Sequence, residues 1–260
     1  MMSFIYLIVS FGASIVGAIS GIGGGVIIKP VLDTISVFSV ATISFLSGCT
    51  VLSMTTVTLI KSRHSKVTLN KKTATLLALG GIIGGLAGKQ IFDMIRTGFG
   101  DDRIIGISQS SLLFLLTLSV LFFTIYKERI SPRHREDIPF TLLVGFFLGS
   151  LASFLGIGGG PINLAVLYYF FSMDSKTAAL NSIYIIFFSQ IASLVFTAAS
   201  GLIPEFNTLI LLLMITGGIS GGLTGSALSN RMTHKGVDKL FMTVMILIIF
   251  ICLYNIVNRF

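Results

Sequence analysis

Gly21-Ile22-Gly23-Gly24-Gly25 and Gly156-Ile157-Gly158-Gly159-Gly160 are the same five residues, met twice at an offset of 135 positions in a chain of 260. Each copy lies inside a long apolar stretch, where an unbroken membrane helix is the default expectation. Glycine costs a helix interior about 1 kcal/mol relative to alanine, so four glycines in five residues predict a break. A break at membrane depth frees N–H and C=O groups that lipid cannot satisfy. It is tolerated only where the loop is buried in protein or lines a polar cavity. The two loops are therefore the first candidates for a substrate site.

The surrounding composition agrees with a bilayer. Hydrophobic residues make up 53% of the chain and charged residues 11%, against roughly 25% charged in soluble domains. Mean hydropathy is +0.96. Apolar segments recur at about 4–28, 37–60, 73–92, 104–126, 138–171, 177–199, 206–228 and 237–257, leaving no room for a soluble domain. The N-terminal run has no basic region before it and recurs at 140–155, so it reads as fold and not as a cleaved signal peptide. The expected class is an all-α integral membrane protein. Its net charge of +8 is spread over short connecting loops, which fits membrane topology better than nucleic-acid binding.

The offset of 135 that superposes the glycine loops also superposes Thr42 on Thr177 and Ser47 on Ser182. An offset of 137 superposes Gly80, Gly84 and Gly88 on Gly217, Gly221 and Gly225. The halves are thus duplicates: a first repeat over 1–126, a charged linker over 127–137, and a second repeat over 138–260. Each has four apolar segments, in the order glycine loop, Ser/Thr-rich, glycine every fourth residue, and plain Leu/Ile/Phe.

Charge decides how the repeats are oriented. Eight simple crossings from an inside N-terminus would leave ten Lys/Arg inside and eight outside. If each glycine-loop segment is instead a re-entrant hairpin, every half crosses three times and the second half is inverted. The cytoplasmic side then holds five basic residues in 61–72, four in 127–137, Lys176, and three in 229–239, thirteen of the eighteen. The positive-inside rule selects the inverted arrangement, with both termini outside.

In this arrangement the N–H groups around Gly23, Gly24 and Gly25, and around Gly158, Gly159 and Gly160, open helix N-termini toward a shared cavity, which attracts anions. The competing reading is that the glycines only let a hairpin apex pack closely. Ser47 and Ser182 at matched positions, with Asn163, Asn181 and Gln190, supply hydroxyls and amides that suit an oxyanion. Such residues also bond their own backbone or a neighbouring helix. Lys29, four residues past the first loop, could draw an anion inward or snorkel to the interface. The glycines at every fourth position serve packing within the chain or a homodimer. The expected partners are a small anion and the lipid bilayer, with no nucleic acid.

Cys49 and Cys252 have neither disulfide nor metal spacing, and no His cluster, nucleophile triad, P-loop or dinucleotide fingerprint occurs, so we expect no cofactor, no metal and no enzyme. A non-transporting subunit that binds a sulfur-relay or signalling partner through the basic 61–72 and 127–137 loops is the alternative from another class.

The doubled Gly-Ile-Gly-Gly-Gly, Ala179-Leu180-Asn181-Ser182, the run from Gly217 to Gly225 leading to Asn230-Arg231-Met232, and Lys239-Leu240-Phe241 together resemble the TauE/SafE family of sulfite exporters over essentially the whole chain. The resemblance implies a multi-pass secondary carrier exporting a small sulfur-containing anion, sulfite or an organosulfonate, across the bacterial cytoplasmic membrane. Ser47-Gly48-Cys49-Thr50, where a Thr-Ser pair is expected, and Lys29 before Pro30 depart from the family's pattern at positions that bear on the substrate.

Overall fold

The computed structural model describes residues 2–36, 38–63, 67, 69–99, 102–135 and 137–259. Among these, ten α-helices and no strand are found. In chain order they are α1 (Met2–Ser20), α2 (Gly25–Ile35), α3 (Val40–Ser62), α4 (Lys71–Phe99), α5 (Asp102–Tyr126), α6 (Ile138–Phe154), α7 (Pro161–Phe171), α8 (Ser175–Ala199), α9 (Thr208–Arg231) and α10 (His234–Arg259). Six of them, α3, α4, α5, α8, α9 and α10, are long and apolar enough to cross a membrane. Phe4, Ile8, Ile83, Met94, Phe250 and Val257 are each more than 60% exposed, an apolar outer surface suited to lipid.

The remaining four helices form two hairpins. Helices α2 and α7 have 11 residues each, about 16 Å at 1.5 Å per residue, roughly half the thickness of a bilayer's hydrocarbon core. The glycine loops stop α1 and α6 and reverse the chain. Ile28 and Leu32 of α2 share a buried cluster with Tyr6 and Ala13 of α1, and the Tyr6 and Phe38 rings sit 6.0 Å apart at the open end. In the second hairpin the Phe140 and Phe170 rings are 5.1 Å apart, and the N–H groups of Arg133 and Arg135 donate to the carbonyls of Tyr169 and Phe170. The two ends of each helix pair therefore lie close together.

The connections gather at two opposite ends of the bundle. At the end where α1 starts, Thr42 Oγ1 donates to the Glu205 carbonyl (2.9 Å), tying the start of α3 to the start of α9. Near the same end Asn255 of α10 holds α2 through Thr34 and Pro30. At the linker end Lys127 pairs with Asp238 (2.6 Å), Ser175 donates to Asp238, and Tyr168 donates to the Lys127 carbonyl. Ser62, Val67, Lys176, Ser229 and Asn230, which flank or belong to the other basic connections, come together near this second end.

Helix starts follow local chemistry. Ser39, Asp174 and Asn207 each cap the helix that follows by accepting from its first free N–H groups. Partial burial pushes the Asp174 carboxyl up, but hydrogen bonds from Thr177 and Lys176 and the nearby His234 outweigh it, so its pKa lies below the ordinary value of 3.8. Because the folded value is lowered, the cap's contribution is complete above about pH 4 and is lost as the pH falls through the lowered pKa. Asp174→Ala should destabilise the detergent-solubilised protein by about 1 kcal/mol at neutral pH in thermal unfolding, with the difference from wild type vanishing in acid.

Small residues set how closely the helices approach. A Cβ placed on Gly80, Gly84 or Gly88 of α4 would strike the backbone of α6 at Leu142, Phe146 or Ser150. The counterparts Gly217, Gly221 and Gly225 of α9 meet α1 at Ser10, Phe11 and Ile15 in the same way. These faces are filled within the chain, and α4–α6 and α1–α9 are the most extensive helix pairs. Gly84→Ala is expected to cost about 1–3 kcal/mol as overpacking. Gly12→Ala, with nothing within 4 Å of the new methyl, should instead stabilise the fold by up to about 1 kcal/mol. Unfolding in detergent compares the two.

Candidate functional site

The two glycine loops share a left-handed backbone at two matched positions and differ at their last glycine, since Gly25 opens α2 while Gly160 is extended before α7. Gly21 and Gly156 have φ of +76° and +64°, and Gly23 and Gly158 have φ of +85° and +73°. This left-handed region excludes ordinary side chains. Gly24 follows in the right-handed region, with φ −62° and ψ −26°. A left-handed residue followed by a right-handed one turns successive N–H groups toward a common point, a concavity that suits anions. Among the described residues, none accepts a hydrogen bond from the N–H of Gly23, Gly24 or Gly25, or from Gly158, Gly159 or Gly160.

The loops meet tip to tip in the centre of the bundle. A Cβ on Gly25 would collide with the Ile157 carbonyl, and one on Gly159 would lie 2.9 Å from the Ile22 carbonyl. Ile22 and Ile157 are 0% and 1% exposed. The sequence led us to expect the amides to face a cavity shared by the loops. In this conformation the tips are in contact instead, because glycines on both sides let backbone pack on backbone.

One face of α8 and one face of α3 clasp this junction. Along α8, Ala179 lies against Gly21, Ser182 Oγ donates to the Gly21 carbonyl (2.6 Å), Ile186 packs on Gly23 and Gly159, and Gln190 lies against Gly158. The spacing of three or four residues places all four on one helix face. Along α3, Ser44 lies against Gly156 and Ser47 against Gly25. Asn163, in the first turn of α7, donates Nδ2 to Ser182 Oγ (3.2 Å). Asn181 sits one position off the α8 face and donates Nδ2 to the Thr177 carbonyl of its own helix (2.7 Å). The hydroxyls of Ser14, Ser44, Ser47 and Ser189 and the Oδ1 atoms of Asn163 and Asn181 are buried without a hydrogen-bond partner.

Lys29 neither snorkels nor stands alone. It is 2% exposed and pairs with Asp33 at 2.9 Å, both side chains being 3% exposed. Its Cε lies 3.4 Å from where a Cβ on Gly156 would be, so the lysine of one hairpin abuts the loop of the other. Pro30 lies inside α2 between the pair, and Asn255 Nδ2 donates to its carbonyl. A buried charge pair inside a membrane fold is costly and points to function by default.

The candidate residues from the sequence, Gly23, Gly24, Gly25, Lys29, Ser47, Gly158, Gly159, Gly160, Asn163, Asn181, Ser182 and Gln190, lie on the two loops, on the helices α2 and α7 that leave them, or on α3 and α8 that clasp them. Sequence reasoning misses Ser14 and Asn255, reads Asp33 as a residue near a segment end, and counts Ser44 only among the lesser polar candidates of its helix. Ser44 stands three residues before Ser47 on one helix face, and Asp33 stands four after Lys29, so both carried a helical signal. Asn255 arrives from a distant helix and carried none.

The junction is dry, rich in N–H and O–H donors, and holds one lysine, which suits a small anion. The profile of the family described as "Sulfite exporter TauE/SafE" matches residues 6–251. A relative from Bacillus subtilis (strain 168), named "Probable membrane transporter protein YunE", is 26% identical over 276 residues, covering 95% of this chain and 96% of its own. No solved structure matches the chain. With a family match over nearly its whole length and six helices able to cross a bilayer, the chain belongs to the TauE/SafE family of membrane transporters.

Proposed function

We propose that the protein is a secondary transporter that exports a small sulfur-containing anion, sulfite or an organosulfonate, by alternating access. The observation that carries this reading is the meeting of two glycine loops whose N–H groups have no partner among the described residues. Donors left open in a dry site favour a ligand that accepts several hydrogen bonds at once. The family description, a sulfite exporter, supplies the sulfur. The two halves are read as inverted repeats, 1–126 and 138–260, joined by the 127–137 linker. Their glycine hairpins enter from opposite membrane faces and place the site at midplane. The linker end, which carries the basic connections, is taken as cytoplasmic.

Purified protein in liposomes should transport sulfite or a sulfonate, sulfoacetate or taurine, when tested against sulfate, thiosulfate and carboxylates. The transported anion should also raise the unfolding temperature. At a hundredfold excess over its dissociation constant, a ligand that binds only the folded state stabilises by about 2.7 kcal/mol. A panel in which no anion is moved and none shifts the melting temperature would remove this reading.

A further inference from the structure

At the linker end, between α3 and α8, a groove of about 750 Å³ opens on the outer surface of the bundle. That volume is within the roughly 300–1,000 Å³ of small-molecule sites. Leu59 and Ile60 form one wall, and Leu180, Tyr184, Phe187 and Phe188 the other. The rings of α8 touch, Tyr184 on Phe188 at 4.9 Å and Phe187 on Phe188 at 5.1 Å, which makes that wall continuous. Ile60 is 58% exposed, so the groove faces the surroundings of the protein, and no residue of either glycine loop lines it. From Leu180 to Phe188 it follows α8 for about 12 Å at 1.5 Å per residue, close to the roughly 15 Å of one leaflet's hydrocarbon.

The charge is gathered at one end. Arg63, the C-cap of α3, and Lys71, the first residue of α4, both border the groove and are exposed. Among the described residues, no acidic side chain lines the groove or pairs with either cation. The hydroxyls of Thr56 and Ser62 on its wall donate to carbonyls of their own helix, Leu52 and Leu59, at 2.7 and 2.8 Å. Membrane topology accounts for basic residues on a connection. It does not account for two of them bordering an apolar groove about one leaflet deep.

The other half of the duplicated chain is built differently here. At the offset of 135 Arg63 falls on Ala198 and Leu180 on Phe45, and at the offset of 137 Lys71 falls on Thr208. Neither cation has a basic counterpart. Phe45 instead meets Phe206 of the connection after α8, with ring centroids 5.3 Å apart. One half pins its connection to the helix by a ring pair, and the other leaves a groove with a basic mouth.

We infer that this groove binds an anionic phospholipid, with an acyl chain along Tyr184, Phe187 and Phe188 and the phosphate against Arg63 and Lys71. Basic residues beside a membrane span attract anionic headgroups, and the apolar walls hold the chain that the headgroup carries. A free anion would meet the cations but leave those walls uncovered. Helix α8 presents Ala179, Ser182, Ile186 and Gln190 to the glycine loops and a different face to the groove, so a seated lipid packs on the helix that clasps the loops. The inference does not depend on which anion is transported, or on transport at all.

The chain has no tryptophan, so Ile60→Trp places a single fluorophore at the groove. The full-length variant is reconstituted in bilayers of phosphatidylcholine that contain increasing amounts of phosphatidylglycerol brominated on its chains, or of phosphatidylcholine brominated likewise. Bromine quenches only near the fluorophore. The anionic lipid should occupy the groove in preference to the zwitterionic one by about fivefold or more. Arg63→Gln with Lys71→Gln should bring this preference below about twofold, while Lys61→Gln with Lys72→Gln, at positions that do not line the groove, should leave it standing. Phe250→Trp on α10, at a position 67% exposed, should show no preference. Soluble glycerol phosphate should not relieve the quenching. Circular dichroism and gel filtration check folding, and Tyr184→Trp on the opposite wall is the second reporter if Ile60→Trp fails to fold. Equal quenching by the two lipids, a preference that survives Arg63→Gln with Lys71→Gln, one lost equally in Lys61→Gln with Lys72→Gln, the same preference at Phe250→Trp, or relief by glycerol phosphate would each overturn the inference.

Discussion

Gly25→Ala should abolish transport while Gly24→Ala leaves it nearly intact. The two positions are neighbours, both allow a right-handed backbone, and either alanine is a good helix former. The difference lies entirely in what the new methyl meets. At Gly25 it would run into the carbonyl of Ile157, and backbone cannot swing aside as a side chain can. The tips of the two hairpins must then separate. Overpacking of this kind costs about 1–3 kcal/mol, enough to shift a balanced conformational equilibrium by roughly 5- to 150-fold. At Gly24 the nearest atoms, the Ala13 carbonyl oxygen and Ser14 Cα and Oγ, stand at 3.4 Å, ordinary contact. We expect liposome flux to fall at least tenfold in Gly25→Ala and to stay within about threefold of wild type in Gly24→Ala, with both proteins folded. Equal flux from the two would show that tip contact is not part of the transport cycle. Gly156→Ala should resemble Gly25→Ala, because φ of +64° and the side chain of Ser44 both oppose a methyl there.

The second large effect concerns Lys29 and Asp33. Removing one member of a buried ion pair leaves a charge without compensation and costs about 3–5 kcal/mol. Lys29→Met is therefore expected to be strongly destabilised in thermal unfolding, and to be rescued by adding Asp33→Leu, which removes the stranded carboxylate. A single variant as stable as wild type would mean that Asp33 is held well by other groups. The rescued double variant also separates two roles of the lysine. If Lys29 serves only to neutralise Asp33, transport returns with stability. If it attracts the anion toward Gly156, the double variant folds but its apparent affinity for the transported anion falls, most steeply at low ionic strength.

The class of the protein was legible in composition, and the helix breaks were legible in glycine. Four glycines in five residues do not continue a helix, and Tyr6 beside Phe38, with Arg133 and Arg135 bonded to the end of α7, is what such breaks produce. The candidate residues were legible for the same local reason, since polar side chains at intervals of three or four share a helix face. What local reasoning missed were pairings. Lys29 looks like a snorkelling residue until Asp33, one turn on, is found equally buried, and Thr34 looks ordinary until Asn255 arrives from the last helix.

By itself, then, the sequence determined that the chain lies in a membrane, that it carries the same glycine motif twice, and that a helix breaks at each copy. Those are matters of hydropathy, repetition and backbone freedom, which act over a few residues or over composition as a whole. Only the tertiary structure decided that the loops touch and that α4 closes on α6 and α9 on α1. The physical reason is that a glycine specifies room for a neighbour without specifying which neighbour. That choice is made by backbone contacts between segments far apart in the chain.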